Sequence, residues 1–179
     1  MLSPREISEH AAGKGLDAKD EALVGDWAFD RLEGGAYPNS AGEGLAARPI
    51  GKVRQVGDNG GGYVRLEGGR LEVANGNRLD ISTALTMEAW VRPAGPQGGG
   101  CLFARQRVWM WGFVFHARSD WIMLDGLRAS GREIEANCKI PSDKWTHIAG
   151  ILGAGGLWQI WVDGKLVKEY KTRPMIISG

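Results

Sequence analysis

The chain has 179 residues, and its 22 Lys and Arg against 21 Asp and Glu leave a formal net charge of +1. That length suits one domain with a well-buried core, and the scattered cations make no field to attract nucleic acid or anionic lipid, so neither is expected as a partner. No apolar run approaches the ~20 residues of a membrane-spanning helix, and Met1-Leu2-Ser3-Pro4 lacks the basic and apolar regions of a signal peptide.

In chain order, SPREISEHAA at 3 to 12 predicts one short N-terminal helix. Ser3 caps it, Pro4 suits its first turn, Glu6 completes a capping box and Gly13 ends it. Lys14 to Glu21 reads as linker, so residues 1–21 are a capping helix and linker ahead of a domain over 22–179. From Ala22 the pattern becomes short strand-like runs divided by Gly, Asn or Pro: Leu23 to Phe29, Tyr63 to Leu66, Arg70 to Val73, Leu79 to Ile81 and Leu85 to Pro93. The runs continue at Leu102 to Arg105, Gly112 to His116, Trp121 to Leu124, Glu133 to Cys138, Trp145 to Leu152, Leu157 to Val162 and Lys165 to Tyr170. About a dozen strands without interleaved helices predict an all-β, antiparallel double-sheet fold, and the 28 glycines fit its many turns. Asp163-Gly164 supplies the two positive-φ positions of a tight hairpin.

The run WTHIAGIL at 145 to 152 barely alternates. Trp145, His147, Ala149 and Ile151 share one parity, and Ile148, Gly150 and Leu152 the other, so both faces of this strand are expected to be covered. Cys101 and Cys138 can pair only if their strands adjoin; two buried thiols are the alternative.

Six stretches together resemble the LamG-like jelly-roll domains of the concanavalin A-like lectin and glucanase superfamily: LVGDWAFD at 23 to 30, GGYVRLEGG at 61 to 69, LTMEAWVRP at 85 to 93, LFARQ at 102 to 106, KWTHIAGIL at 144 to 152 and LWQIWVDGKLV at 157 to 167. They follow in order from Leu23 onward. The resemblance implies a β-sandwich with Trp27, Trp90, Trp145 and Trp161 at large core positions, Trp90 and Trp145 filling the ~10 Å between the sheets, and His147 facing the core. In the family a last strand and a short helix follow the hairpin, and that helix reads much like LSPREISEH, which here stands at the beginning. The chain therefore reads as part of a longer, extracytoplasmic protein, with residues 2 to 12 the tail of a preceding unit. A missing last strand leaves an open sheet edge, an invitation to oligomer formation.

Catalytic relatives use two carboxylates on one strand. Glu133 and Glu135 have the right parity, but Asn137 follows where a further acidic residue belongs, so a solvated strand face is the better reading and no catalytic residue is assigned. Asp120 and Asp125 flank the Trp121 strand on opposite parities and form no simple pair. His116 ends an aromatic strand, His10 lies in the helix, and no serine elbow or phosphate-binding glycine loop is present.

The resemblance also implies a structural Ca²⁺ held by Asp30, Asn39 and Asp58, although N-S-A-G at 39 to 42 has Asn where relatives show Asp, and a plain Asx turn explains it equally. No other cofactor is indicated. The excess of tryptophan is more telling: Trp109, Trp111, Trp121 and Trp158 have no evident core role. Trp109, Trp111 and Trp121 around one hairpin offer indole faces to a sugar ring, with Arg105, Arg107, Asp120, Asp125 and Arg128 to bond its hydroxyls. The alternative packs these indoles under a loop. The sequence thus points to a non-catalytic binding module whose partner is a glycan or a neighbouring protein domain; a structural or interaction domain is the alternative, and a glycoside hydrolase ranks last.

Overall fold

The computed structural model describes residues 22–57, 62–74, 79, 81, 84–94, 100–104, 113–118, 121–127, 133–153 and 155–171. Among the described residues twelve strands follow in order: β1 Ala47–Ile50, β2 Val53–Val56, β3 Tyr63–Leu66, β4 Arg70–Val73, β5 Leu85–Val91, β6 Gly100–Ala104, β7 Phe113–Arg118, β8 Trp121–Leu127, β9 Glu133–Lys139, β10 Thr146–Leu152, β11 Leu157–Val162 and β12 Lys165–Lys171. Among the described residues there is no α-helix; the helix expected at 3 to 12 lies outside them. Residues 16–79 form one compact unit and 80–179 the body of a second.

In the second unit the hydrophobic pattern sets the layers. In β5 the apolar parity is Leu85, Met87, Ala89 and Val91, alternating with Thr86, Glu88 and Trp90. β11 places Trp158, Ile160 and Val162 on one parity and Leu157, Gln159 and Trp161 on the other. Between them runs β10, and all seven of its residues are buried, as its doubled apolar pattern predicts. The sheet order is β12-β11-β10-β5, entirely antiparallel. Asp163 and Gly164 turn β11 into β12 with φ of 47° and 73°, the two left-handed positions of a type I′ hairpin.

A second antiparallel sheet, β6-β7-β8-β9, completes the sandwich. Met87, Ile148, Leu152, Trp158 and Ile160 of the first sheet pack with Ile122 of β8 and with Ile140, and Leu85, Val91, Leu102, Phe103, Cys138 and Val162 close around them. Trp158, 1% exposed, is the largest fully buried side chain among the described residues. Central Gly150 lies between Met87 and Ile160 in the ladder. Having no side chain, it leaves the inner face of β10 to those larger neighbours.

β6 and β9 are opposite edges of their sheet, with two strands between them. At ~4.8 Å per strand, Cys101 and Cys138 stand about 14 Å apart, twice the reach of a disulfide. The pairing alternative is therefore excluded. Burial in apolar surroundings pushes the Cys138 thiol up.

In residues 16–79 two small ribbons form, β1 with β4 and β2 with β3. Pro49 sits opposite Leu71 in the two-stranded β1-β4 ribbon, where its missing N–H is tolerated. Tyr37 is buried, exchanges backbone hydrogen bonds with Ala47 (2.8 and 2.9 Å), and meets the ring of Phe29 edge-on at 5.5 Å. Gly62 allows this packing, because a Cβ there would lie 2.9 Å from the carbonyl oxygen of Phe29 and from the Cα of Asp30.

The strands differ from expectation in three places. Leu23 to Phe29 is no strand; in place of a ladder, Asn39 Oδ1 accepts from Asp26 N at 2.8 Å, Asn39 Nδ2 donates to Val24 O at 3.3 Å and Ser40 N donates to Asp26 O at 2.9 Å. Leu79 and Ile81 also lie outside any strand, whereas β1 and β2 had no predicted counterpart.

The tryptophans reverse their expected roles. Trp90 is 59% and Trp145 39% exposed, so neither fills the space between the sheets, and Trp158 occupies the core instead. Trp27 and Trp161 are half-buried. Trp90 shares the parity of Thr86 and Glu88, which turns it away from Met87 and Val91. Trp158→Ala is accordingly expected to cost about 3–5 kcal/mol in denaturant melts, against about 1 kcal/mol or less for Trp90→Ala; equal losses would contradict this core.

Candidate functional site

The outer face of the β12-β11-β10-β5 sheet assembles polar and aromatic side chains in rows fixed by register. Trp90 stands opposite His147; Glu88, Ala149 and Trp161 make the next row; Thr86, Ile151 and Gln159 the third. A shift between Ile160 and Trp161 brings Leu166 beside Trp161, while Glu169 stays beside Gln159.

His147 is the anchor of this face. Its imidazole is buried, yet on the parity opposite to the core residues Ile148 and Leu152, so it faces outward beneath Trp90 and not into the core as the resemblance implies; its backbone is clamped by the hairpin turn: His147 N donates to Asp163 Oδ1 at 3.0 Å and Asp163 N donates to His147 O at 2.8 Å. Its Nε2 lies 3.6 Å from Glu88 Oε2, and its ring meets the Trp90 indole at 5.2 Å between centroids with planes 61° apart. Trp90 thus presents an exposed indole on a fixed, buried support. On the neighbouring strands Trp161 Nε1 donates to Gln159 Oε1 at 3.2 Å, and Gln159 Nε2 donates to Glu169 Oε2 at 2.8 Å. This chain of bonds orients the second indole and leaves the carboxylates of Glu88 and Glu169 on the same face.

Sequence reasoning directed attention elsewhere. Trp109, Trp111, Arg105, Arg107, Asp120 and Arg128 lie outside the described residues. Trp121 and Asp125 fall in β8, Trp121 opposite Arg118 and Lys139, and Asp125 opposite Val114 and Glu135. They share the parity opposite to Ile122, whose side chain is in the core, so their positions belong to the outer face of the second sheet. Glu133 stands opposite Leu127, and His116 between Cys101 and Met123. Trp90, Glu88, Gln159 and Glu169 were missed, although Thr86, Glu88 and Trp90 on one parity of β5 against four apolar residues on the other was the available signal.

Of the expected calcium ligands, Asp58 lies outside the described residues. Asn39 Oδ1 accepts from the backbone N–H of Asp26 and of Ala41 (2.8 and 3.1 Å), the geometry of an Asx turn extended across the loop. Asp30 gives its backbone oxygen to Gln55 Nε2 at 2.6 Å. Among the described residues no group of three or more His, Cys, Asp or Glu is placed to hold a metal ion.

Two facing antiparallel sheets closed over one apolar layer, with a polar and aromatic outer face, define a lectin-like β-sandwich. The chain belongs to the concanavalin A-like lectin/glucanases superfamily, whose laminin G-type profile matches residues 58–178. No curated protein matches it in sequence. Among solved structures it is similar to the binding domain of Paraclostridial Mosquitocidal Protein 1 (TM-score 0.68, 14% identity, 89% of this chain and 43% of that one). It is also similar to the binding domain of Botulinum neurotoxin DC in complex with rat synaptotagmin II (0.63, 13%, 83% and 40%). A structure from work on botulinum neurotoxin type C entry through two ganglioside molecules matches likewise (0.61, 11%, 80% and 38%). The chain spans about two fifths of each of these neighbours, and at such identities the likeness is one of fold.

Because Asn39 closes three loop contacts at once, Asn39→Ala is expected to cost about 1–3 kcal/mol by stranding the Asp26 N–H, read as a lowered midpoint in urea; an unchanged midpoint would remove the tether.

Proposed function

We propose that the chain is a non-catalytic binding module of a longer, extracytoplasmic protein and that it takes a carbohydrate on the outer face of the β12-β11-β10-β5 sheet. The observation that carries this reading is Trp90: an indole 59% exposed, held against a buried His147 and beside the Glu88 carboxylate. An exposed indole is costly in water unless a partner covers it, and the C–H face of a pyranose is such a partner while carboxylates accept from its hydroxyls. Membership of the superfamily and the likeness to receptor-binding domains support a binding role; the solved neighbours include one studied with gangliosides and one with a protein receptor.

The test is a glycan array with purified chain. Binding is expected to fall about tenfold or more in Trp90→Ala, the loss of one stacked ring being worth roughly 1–2 kcal/mol. Trp109→Ala and Trp121→Ala examine the hairpin surface first indicated by sequence. If these two abolish binding and Trp90→Ala does not, the sugar lies there; if no glycan binds, the carbohydrate reading fails.

One observation favours a second reading, a protein-interaction domain. β12 is an edge among the described strands, all seven of its residues are exposed, and Leu166, Val167 and Tyr170 are among them. Lys165, Lys168 and Lys171 blunt that edge against casual pairing, so strand addition here needs a partner with matching acidic side chains. Light scattering at rising concentration is expected to show a monomer; a dimer lost on Val167→Pro would favour the interaction domain.

A further inference from the structure

Two indoles stand on the outer face of the β12-β11-β10-β5 sheet, and the ladder fixes the distance between them. Trp90 on β5 is opposite His147 of β10, and Trp161 on β11 is opposite Ala149 of the same strand. They are two strands apart in one direction and two residues apart in the other. At ~4.8 Å per strand and ~3.4 Å per residue, their Cα atoms lie about 12 Å from each other along a diagonal of the sheet. Where that diagonal crosses β10 it passes over His147 and Ala149, both buried, so this strand raises no bulk between the two rings.

Each indole is supported from the strand beside it. Trp90 rests against the His147 ring. Trp161 Nε1 donates to Gln159 Oε1 at 3.2 Å, and Gln159, only 6% exposed, is itself tied to Glu169. An indole has no second hydrogen-bonding group, so what Trp161 offers a ligand is carbon surface. Glu88 stands in the row of Trp161 and on the strand of Trp90, at the corner of the diagonal, as a hydroxyl acceptor between the two rings.

We infer that this site takes an extended linear oligosaccharide of three or more pyranose units, linked so that alternate rings turn the same face to the sheet. One ring stacks on Trp90, the next but one on Trp161, and the ring between them bonds Glu88. This deepens the carbohydrate reading above and rests on it. In a β-1,4-linked chain each ring is turned over relative to its neighbour, so the first and third rings present like faces, and the distance between their centres is close to the spacing of the two indoles. An α-1,4-linked chain curls, and its third ring leaves the plane of the first. Joining two weak stacking contacts in one ligand makes the second contact intramolecular, so affinity rises with chain length until both indoles are covered.

The test is titration calorimetry of the purified chain with β-1,4-linked tetraoses of glucose, mannose, xylose and N-acetylglucosamine, each beside its own disaccharide, and with the α-1,4-linked glucose pair. At least one β-1,4 tetraose is expected to bind about tenfold or more tightly than its disaccharide, and the α-1,4 pair to show no such gain. In Trp161→Ala the gain is lost while the disaccharide, which needs Trp90 alone, binds as in wild type. The wild-type series requires no variant, so it decides the matter even where Trp161→Ala fails to melt cooperatively. If no tetraose outbinds its disaccharide, if the α-1,4 pair gains equally, or if a folded Trp161→Ala keeps the gain, the extended site is overturned while Trp90-dependent binding of short glycans stands. If wild type binds none of these ligands and no glycan on the array, the carbohydrate reading falls and this inference with it.

Discussion

The constraint on which the structure depends is that β10 is buried on both faces. A strand with a wet side alternates polar and apolar residues; Thr146–Leu152 does not, and none of its seven residues is exposed. It therefore needs a ladder on each side and cover above and below. β5 and β11 provide the ladders. Trp158, Ile160 and Met87, backed by Ile122 and Ile140, provide the inner cover. The outer face is closed differently. Ala149 is small enough to disappear between Glu88 and Trp161 in its row, and His147 is covered by the Trp90 ring. The side chains that seal the outside of β10 are thus the ones proposed to meet a ligand, and stability and binding draw on the same residues.

That coupling explains why a polar residue so deep in a sheet is tolerated. Burying an imidazole is unfavourable unless its polar atoms and backbone are engaged. His147 is engaged at its backbone through Asp163, and at the ring the Glu88 carboxylate lies 3.6 Å away, an ion-pair distance longer than a hydrogen bond. Asp163 can do this because the hairpin holds it at φ 47°, where its short carboxylate reaches back to the strand it would otherwise extend. The Asp-Gly pair, legible in sequence as a turn, is also the device that fixes the orientation of the residue beneath Trp90.

What sequence could and could not reveal follows the range of the forces involved. The fold class, the turn at Asp163-Gly164, the bounds of β3 and β4 and the double burial of β10 are all local periodicity, and all were legible. Trp90 and Trp158 were exchanged between surface and core because tryptophan was read by its size and not by the parity of its neighbours. In β5 the parity was already decisive, with four apolar residues on one side and Trp90 in line with Thr86 and Glu88. Leu23 to Phe29 failed for another reason. Its backbone is tied by the Asn39 side chain, 13 and 15 residues from Asp26 and Val24, and by Ser40 N on Asp26 O, and no periodicity signals these contacts. β1 was hidden by Pro49, harmless in a two-stranded ribbon yet discouraging in any linear pattern.

Charge follows the same lesson at a different scale. A net charge of +1 argues against a partner held by a broad field. Yet net charge is a sum over the whole chain, and ligand recognition occurs within a few ångströms. In β2 and β3 the cations are brought together by register, Arg54 against Arg65, and a one-residue slip would send the two to opposite faces. Repulsion between directly opposed guanidinium groups weakens the ribbon, and Glu67 relieves it chiefly for Arg65. The unrelieved part is a cost that the strand pair carries, and it falls as added salt screens the two guanidinium groups.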